Sequence, residues 1–483
     1  MSERQPEKNG GTDFIRITLA TIAVTLSILG QVLLHTTPID NTVVLPTAAW
    51  VGITAILLFA LAYLRRPIPI PQKLSSLLAS KGQFLWLFFG FFLTVIATIA
   101  STLFERYVLS NFVPVVSLWL MGAFCYLMAF APEQISGFDW KKWLVAHRTE
   151  LLTLGAIVLL AGYLRFDSLG DYPRVIDGDE GRIGEFAQAT QTGRLANPFS
   201  LWENIGALYM QAINVSINLF GATPFALRLL PAIAGTLAII SIYLLARQIG
   251  GREVALLAAT LLAISHTHIH FSRTSAVSYI QGTWLIPLEM YFFLSGLEKR
   301  SSWRAGLGGV LLAIHMQIYL SAQIMAGIFL VYSLIGLLFF KDSIRAAWRQ
   351  TLAFWGGFLL TFMPGLTYIL RHQDEFLSRM NAEGTFNSGW MAQEILTTGK
   401  SSAQILFERV IHAFLSLIYY PTIDFYGSPT PMMSLVSGAL FLLGLTYALV
   451  KTGSPRFLLL NGYFWGATAA IGLFAIPDRK SVV

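Results

Sequence analysis

The stretch PFALRLLPAIAGTLAIISIYLLARQIGGREVALLAATLLAISHTHIHF, residues 224–271, holds two apolar runs, 225–248 and 253–271, separated by the turn RQIGGR. Each run has about the 20 residues that a helix needs to cross roughly 30 Å of hydrocarbon. The runs are too long, and too rich in Leu, Phe and Gly, to alternate as barrel strands. Helices are then the spanning form that satisfies its own backbone. Similar runs recur at 14–34, 43–64, 83–103, 112–130, 150–166, 277–297, 304–321, 323–340, 351–370, 432–450 and 456–476. The pattern predicts an all-α polytopic membrane protein with about 13 transmembrane helices.

Composition agrees. Hydrophobic residues make up 55% of the 483, charged residues only 12%, and the mean hydropathy is +0.62. Soluble domains carry about a quarter charged residues. The formal charge of +7 is distributed by side. With residue 1 on the cytoplasmic face, most Lys and Arg fall in LRRPIPIPQK, DWKKW, RQIGGR, EKRSSWR, KDSIRAAWR and KTGSPR on that side, and most acids fall opposite. This is the positive-inside bias, so the basic balance reports topology, and no nucleic-acid partner is expected. The lone Cys125 excludes an intrachain disulfide and reads as a packing residue. The first run follows a short basic leader and lacks a small-residue cleavage site, which predicts a retained anchor. The chain ends a few residues after the last run, which leaves room for a further C-terminal portion.

Two segments between runs are long, 167–224 and 371–431, and the orientation puts both on the outer face. Every other connection is short. The chain divides into residues 1–149, four helices plus a basic linker at 131–149, and residues 150–483, a nine-helix unit carrying both long loops. Within the first loop, DEGRIGEFAQATQTG reads as a short helix from an Asp179 N-cap to Gly193. GALYMQAINVSINLFG reads as an amphipathic helix lying along the membrane, with Gln211, Asn214 and Asn218 on one face. The sequon at Asn214 is read as chance.

The first loop gathers Asp177, Asp179, Glu180 and Glu185. A carboxylate held near a hydroxyl serves as a general base. One member of the Asp179–Glu180 pair can take a proton while the other orients Arg182 or binds a cation. The other reading is a polar loop in which Asp179 only caps a helix. A calcium loop fails, because Arg182 stands where the turn glycine belongs and Gln188 where the last acid belongs. In AISHTHIHFSRTSAVSY, His266 and His270 are four apart, with Arg273 close behind. Two His without an assigned carboxylate fall short of a metal set. Arg273 suits a phosphate through forked hydrogen bonds, or snorkels at the interface. Glu289 lies mid-run, where a charge is costly, and reads as facing the bundle or protonated. Arg371, His372, Arg379 and Lys400 in the second loop suit anion contact or plain solvation.

LRFDSLGDYPRVIDGDEGRIGEFAQATQTGRL, followed by LYMQAINVSINLFGATPFALRLLPAIAGTLAIISIYLLARQIGGREVALLAATLLAISHTHIHFSR, resembles the N-terminal half of the GT-C superfamily of membrane glycosyltransferases. The branch is that of protein O-mannosyltransferases and lipid A aminoarabinose transferases, of the glycosyltransferase family 39 type. The resemblance covers 150–370 well and the rest by topology. It implies transfer of a sugar from a polyprenyl-phosphate-linked donor to a lipid, glycan or protein acceptor. The reaction would be inverting, on the outer face of a cell membrane of the bacterial inner-membrane type. Asp179 and Glu180 correspond to the family's acidic pair, with Asp179 as base and Glu180 as orienting or second acid. Arg182, His270, Arg273, Tyr279 and Arg371 are the expected substrate contacts. No metal site is expected, with a divalent cation left open as cofactor. The sequence departs from the pattern at ENIGALYMQ, where relatives carry a Pro-Pro or Lys-Pro-Pro element, and in its four added N-terminal spans. A transporter or flippase of lipid-linked substrates, and a noncatalytic scaffold in envelope assembly, are the alternatives.

Overall fold

A computed structural model describes residues 10–36, 44–63, 81–109, 111–131, 139–176, 178–202, 205–274, 279–319, 322–340, 342, 344–421 and 431–474. Each of the thirteen apolar runs contains helix among its described residues, with 112, 129–130, 264–265, 317–319, 340 and 432–434 lying outside the helices. Six helices there are individually long and apolar enough to cross a membrane: Gly82–Arg106, Arg148–Phe166, Pro224–Ala263, Ala322–Phe339, Arg345–Arg371 and Pro455–Phe474. The chain is an all-α membrane protein. Its described residues fall into two compact units, the first within Met1–Glu133, Ala189–Ser200 and Leu359–His372, the second holding the rest.

In the first unit, α1 (Gly10–Thr36) pairs with α2 (Val44–Tyr63), and α3 (Lys81–Arg106) with α4 (Val113–Met128). The α3–α4 crossing is made of small residues, which let backbones approach where apolar burial gives no advantage over lipid. A Cβ on Gly122 would sit 2.4 Å from Thr94 Oγ1 and 3.1 Å from Gly90 O. Thr94, Thr98 and Thr102 turn their hydroxyls back onto carbonyls four residues earlier, so this buried polar stripe costs no unsatisfied group.

In the second unit, α5 (Trp140–Ala146) leads into α6 (Arg148–Phe166), and α7 (Gly178–Ala189) follows the first part of the long loop. The two-residue strands β1 (Leu201–Trp202) and β2 (Ile205–Gly206) pair antiparallel and open into α8 (Ala207–Phe220). Gly206 donates its N–H to Ile318 O at 2.9 Å, and a Cβ added there would lie 1.7 Å from Gln317 O. Gly206→Ala must therefore push the hairpin off residues 317–318. We expect it to lower the thermal unfolding midpoint in detergent by the equivalent of ~1–3 kcal/mol, and an unshifted midpoint counts against this contact.

The stretch that decides the fold becomes α9 (Pro224–Ala263) and α10 (His266–Ser272). A straight 40-residue helix would reach ~60 Å. Instead Gly251 leaves helical geometry at φ 85°, a conformation glycine adopts without a Cβ penalty. The two arms fold back on each other, with Ile239 and Tyr243 packing on Ala255, Ala259 and Ala263 and on Ile157 and Ala161 of α6. The second arm stops at Ala263, short of the predicted 271, because the buried Arg165 guanidinium takes its carbonyl ends. Nη1 reaches Ala263 O at 3.1 Å, and Nη2 reaches Leu262 O at 3.4 Å and His268 Nδ1 at 2.7 Å. Ser265 then caps α10. The buried His268 ring accepts from Arg165 at Nδ1 and lies 3.1 Å from Thr283 Oγ1 at Nε2.

The remaining helices are α11 (Tyr279–Glu298), α12 (Ser302–Met316), α13 (Ala322–Phe339), α14 (Trp348–Arg371), α15 (Gln373–Glu383), α16 (Trp390–Thr398), α17 (Ser402–Leu415), α18 (Leu435–Val450) and α19 (Pro455–Phe474). The second long loop is thus helical in α15, α16 and α17. A core of Phe293, Phe329, Tyr332 and Phe354 joins α11, α13 and the first half of α14. Of the polar residues expected on one face of α8, Asn214 is buried at 9% exposure, Gln211 is half-buried and Asn218 is exposed beside Val215, Leu219 and Phe220.

Candidate functional site

The loop after α6 is gripped by two arginines. Arg228, one turn into α9, is fully buried and presents five N–H groups to five acceptors. Nε meets Glu180 Oε1 at 2.9 Å and Nη2 meets Glu180 Oε2 at 2.9 Å. The remaining donors go to the carbonyls of Leu169 (3.3 Å), Pro173 (2.9 Å) and Val175 (3.4 Å). A desolvated cation is tolerable only with this degree of satisfaction. Arg273, following α10, donates Nη1 to Leu164 O at 3.0 Å and Nη2 to Asp167 O (2.7 Å), Ser168 O (3.3 Å) and Tyr172 O (3.1 Å). Neighbouring guanidinium groups thus fix one loop by its backbone.

That loop delivers α7, which begins at Gly178, one residue earlier than predicted, and ends at Ala189 rather than Gly193. Asp179 therefore lies in the first turn of the helix rather than at its cap. Adjacent helical positions point about 100° apart, and the pair divides accordingly. Glu180 is 1% exposed with Ile183 and Ala187 on the same buried face, whereas Asp179 is exposed. Glu180 is the inner carboxylate, paired with Arg228, and Asp179 is the outward-facing one.

The other expected residues fall in different places. Arg182 is exposed on α7, its Cζ 5.0 Å from the ring centroid of Trp202. Glu185 is also exposed. His270 lies on α10, half-buried beside Phe271. Arg371 belongs to the first unit. Its Nη1 lies 3.0 Å from Glu105 Oε2, and His372 Nε2 is 2.5 Å from Glu105 Oε1. Asn197 Nδ2 donates to the same carboxylate at 3.3 Å. Asp177 and the side chain of Tyr279 lie outside the described residues. Among the described residues no group of three or more His, Cys, Asp or Glu is arranged to hold a metal ion.

Three further side chains stand out in the structure. Arg228 sits within the motif FGATPFALRLLPAIAGTL, and its charge just inside an apolar run was the available signal. Trp202 carried no signal beyond being aromatic. His315 pairs with Glu289 at 2.9 Å, both essentially inaccessible, so the mid-run acid faces the bundle. His315 lies 26 residues from Glu289 in sequence, and only the packing of α12 on α11 brings them together.

Residues 205–368 match the family model described as dolichyl-phosphate-mannose-protein mannosyltransferase. No curated protein matches the chain. Among solved structures, it is similar to the archaeal oligosaccharyltransferase AglB from Archaeoglobus fulgidus in complex with an inhibitory peptide and a dolichol-phosphate. Identity is 16%, coverage is 68% of this chain and 49% of that chain, and the TM-score is 0.44. The Archaeoglobus fulgidus oligosaccharyltransferase tethered to an acceptor peptide through a disulfide is similar at 17% identity, over 68% of this chain and 49% of that one, with a TM-score of 0.40. The chain spans about half the length of these proteins. The resemblance to GT-C membrane glycosyltransferases read from the sequence is thus matched, across residues 205–368, by a family model of that superfamily.

Proposed function

We propose that this chain is an integral-membrane glycosyltransferase of about 13 spans. It moves a sugar from a polyprenyl-phosphate-linked donor to a lipid, glycan or protein acceptor on the outer face of the membrane. The observation that carries this reading is the division of the acidic pair: Asp179 exposed at the start of α7, Glu180 buried against Arg228. In the reaction, the acceptor hydroxyl attacks the anomeric carbon opposite the phosphate. The carbon–oxygen bond to phosphate breaks, the polyprenyl phosphate leaves with the electron pair, and Asp179 takes the hydroxyl proton. One displacement inverts the anomeric centre. The leaving phosphate needs no acid, so one base is enough, and nearby guanidinium groups stabilise the departing charge. Arg228 and Arg273 hold the loop in place, while His270, Tyr279 and Arg371 remain proposed substrate contacts.

The test incubates purified protein with a panel of polyprenyl-phosphate sugars and envelope acceptors and measures free polyprenyl phosphate. Release with at least one donor is expected, and no release with any of them rejects the enzyme. The buried Glu289–His315 pair is the feature a transporter would use. That reading requires substrate movement across reconstituted vesicles that survives Asp179→Asn.

A further inference from the structure

The outward strip of α7 runs Asp179, Arg182, Phe186 at spacings of three and four, and it ends on an indole. The Phe186 ring stacks on Trp202 with centroids 4.0 Å apart and planes 27° from parallel. The Arg182 guanidinium lies over the same indole at 5.0 Å, within the ~6 Å reach of a cation–π contact. Positions i and i+4 of one helix share a face, so α7 grips Trp202 at two points one turn apart.

The indole itself is anchored. Trp202 pairs with Ile205 across the β1–β2 hairpin, Ile205 bridges to Tyr319, and Gly206 bonds to Ile318 with no room for lateral slip. A side chain at the end of a two-residue strand would ordinarily be mobile. Here it is tied to the chain leaving α12.

We propose that Trp202 is a positioning residue: its ring holds the Arg182 guanidinium beside Asp179 as the group that binds the phosphate of the lipid-linked donor. This rests on the glycosyltransferase reading above. The arginines at the presenting loop differ in exposure and placement. Arg228 is buried, Arg273 is half-buried and turned onto four carbonyls, and Arg174 is exposed over the ring of Tyr172. Arg182 is exposed on the helix that carries Asp179, three residues on, with the indole beneath it. A guanidinium lying on an aromatic face keeps its in-plane N–H groups directed outward, and that planar fork matches two phosphate oxygens. Restricting the side chain before binding also lowers the entropy lost when phosphate arrives. The base and the phosphate-holding cation then stand one helical turn apart, as a displacement requires when hydroxyl enters and phosphate leaves across one carbon.

The test measures equilibrium binding of a short-chain polyprenyl phosphate to the full chain in phosphatidylcholine nanodiscs. Arg182→Gln is expected to weaken binding ~10-fold or more, and Trp202→Leu ~3- to 10-fold. Trp202→Phe, which keeps a π face, should stay within ~2-fold of the parent. Because Trp202 acts through Arg182, the double variant should bind no more weakly than Arg182→Gln alone. Inorganic phosphate should compete, with the same dependence on both residues. Unchanged affinity in Trp202→Leu, additive losses in the double variant, or no binding by the parent each overturns the proposal. Displacement of the probe by added phosphatidylglycerol reassigns the site to bilayer headgroups and also overturns it. Turnover is read separately. A parent that transfers sugar, with a KM unmoved in Trp202→Leu, keeps the enzyme and loses this role for Trp202. Arg182-dependent phosphate binding without turnover on any donor does the reverse.

Discussion

Asp179→Asn should abolish sugar transfer while leaving a folded, normally expressed protein. Loss of a positioned general base lowers turnover by ~10²–10⁴-fold. Asn keeps the size and much of the hydrogen bonding of Asp but cannot take the acceptor proton. The side chain is exposed at a helix start, so the change costs little stability beyond a weakened interaction with the helix dipole. The measurement is release of polyprenyl phosphate at saturating donor, with the thermal unfolding midpoint recorded alongside. The expected pattern is a fall in kcat at near-constant KM and an unmoved midpoint. Full activity in Asp179→Asn reduces this carboxylate to a helix cap, and a scaffold role then gains.

Arg228→Ala acts on the fold first and on the chemistry through it. The substitution strands Glu180 as a buried carboxylate at 1% exposure and removes the donors from the carbonyls of Leu169, Pro173 and Val175. Breaking a buried ion pair from one side costs about 3–5 kcal/mol, so a large drop in the unfolding midpoint is expected. Glu180→Gln with Arg228→Gln removes both charges and should melt above Arg228→Ala, because no uncompensated charge remains buried. The double variant should still be inactive, since the loop that presents Asp179 has lost its clamp. An Arg228→Ala protein that melts with the parent contradicts the ion pair as a structural element.

The two substitutions separate neighbouring carboxylates that a sequence reader sees as one motif. The distinction was partly legible. Glu180 shares a helical face with Ile183 and Ala187, and that i, i+3, i+7 pattern marks the buried side of α7. What was missing was the partner. Arg228 is 48 residues away, in a different element, and nothing local to either residue announces the contact. Arg273 shows the converse. Its position invited a phosphate contact, yet four carbonyl oxygens surround its guanidinium, because residues 164–172 double back across it. Backbone acceptors carry no sequence signature, since every residue type supplies the same carbonyl.

The sequence by itself determined that this is an all-α membrane protein. Hydrophobic run length is a local property, and each spanning helix satisfies its own backbone without help from a neighbour. It also determined the break in the deciding stretch, because GG between two arginines offers a turn that no apolar run can bridge unbroken. Only the tertiary structure decided that the second arm stops at Ala263, that Glu180 is sealed against Arg228 while Asp179 is exposed, and that an indole from β1 lies under Arg182. Each of these depends on a side chain from a distant element arriving at a particular depth and angle. Such pairings follow from packing, which periodicity along a single helix does not encode.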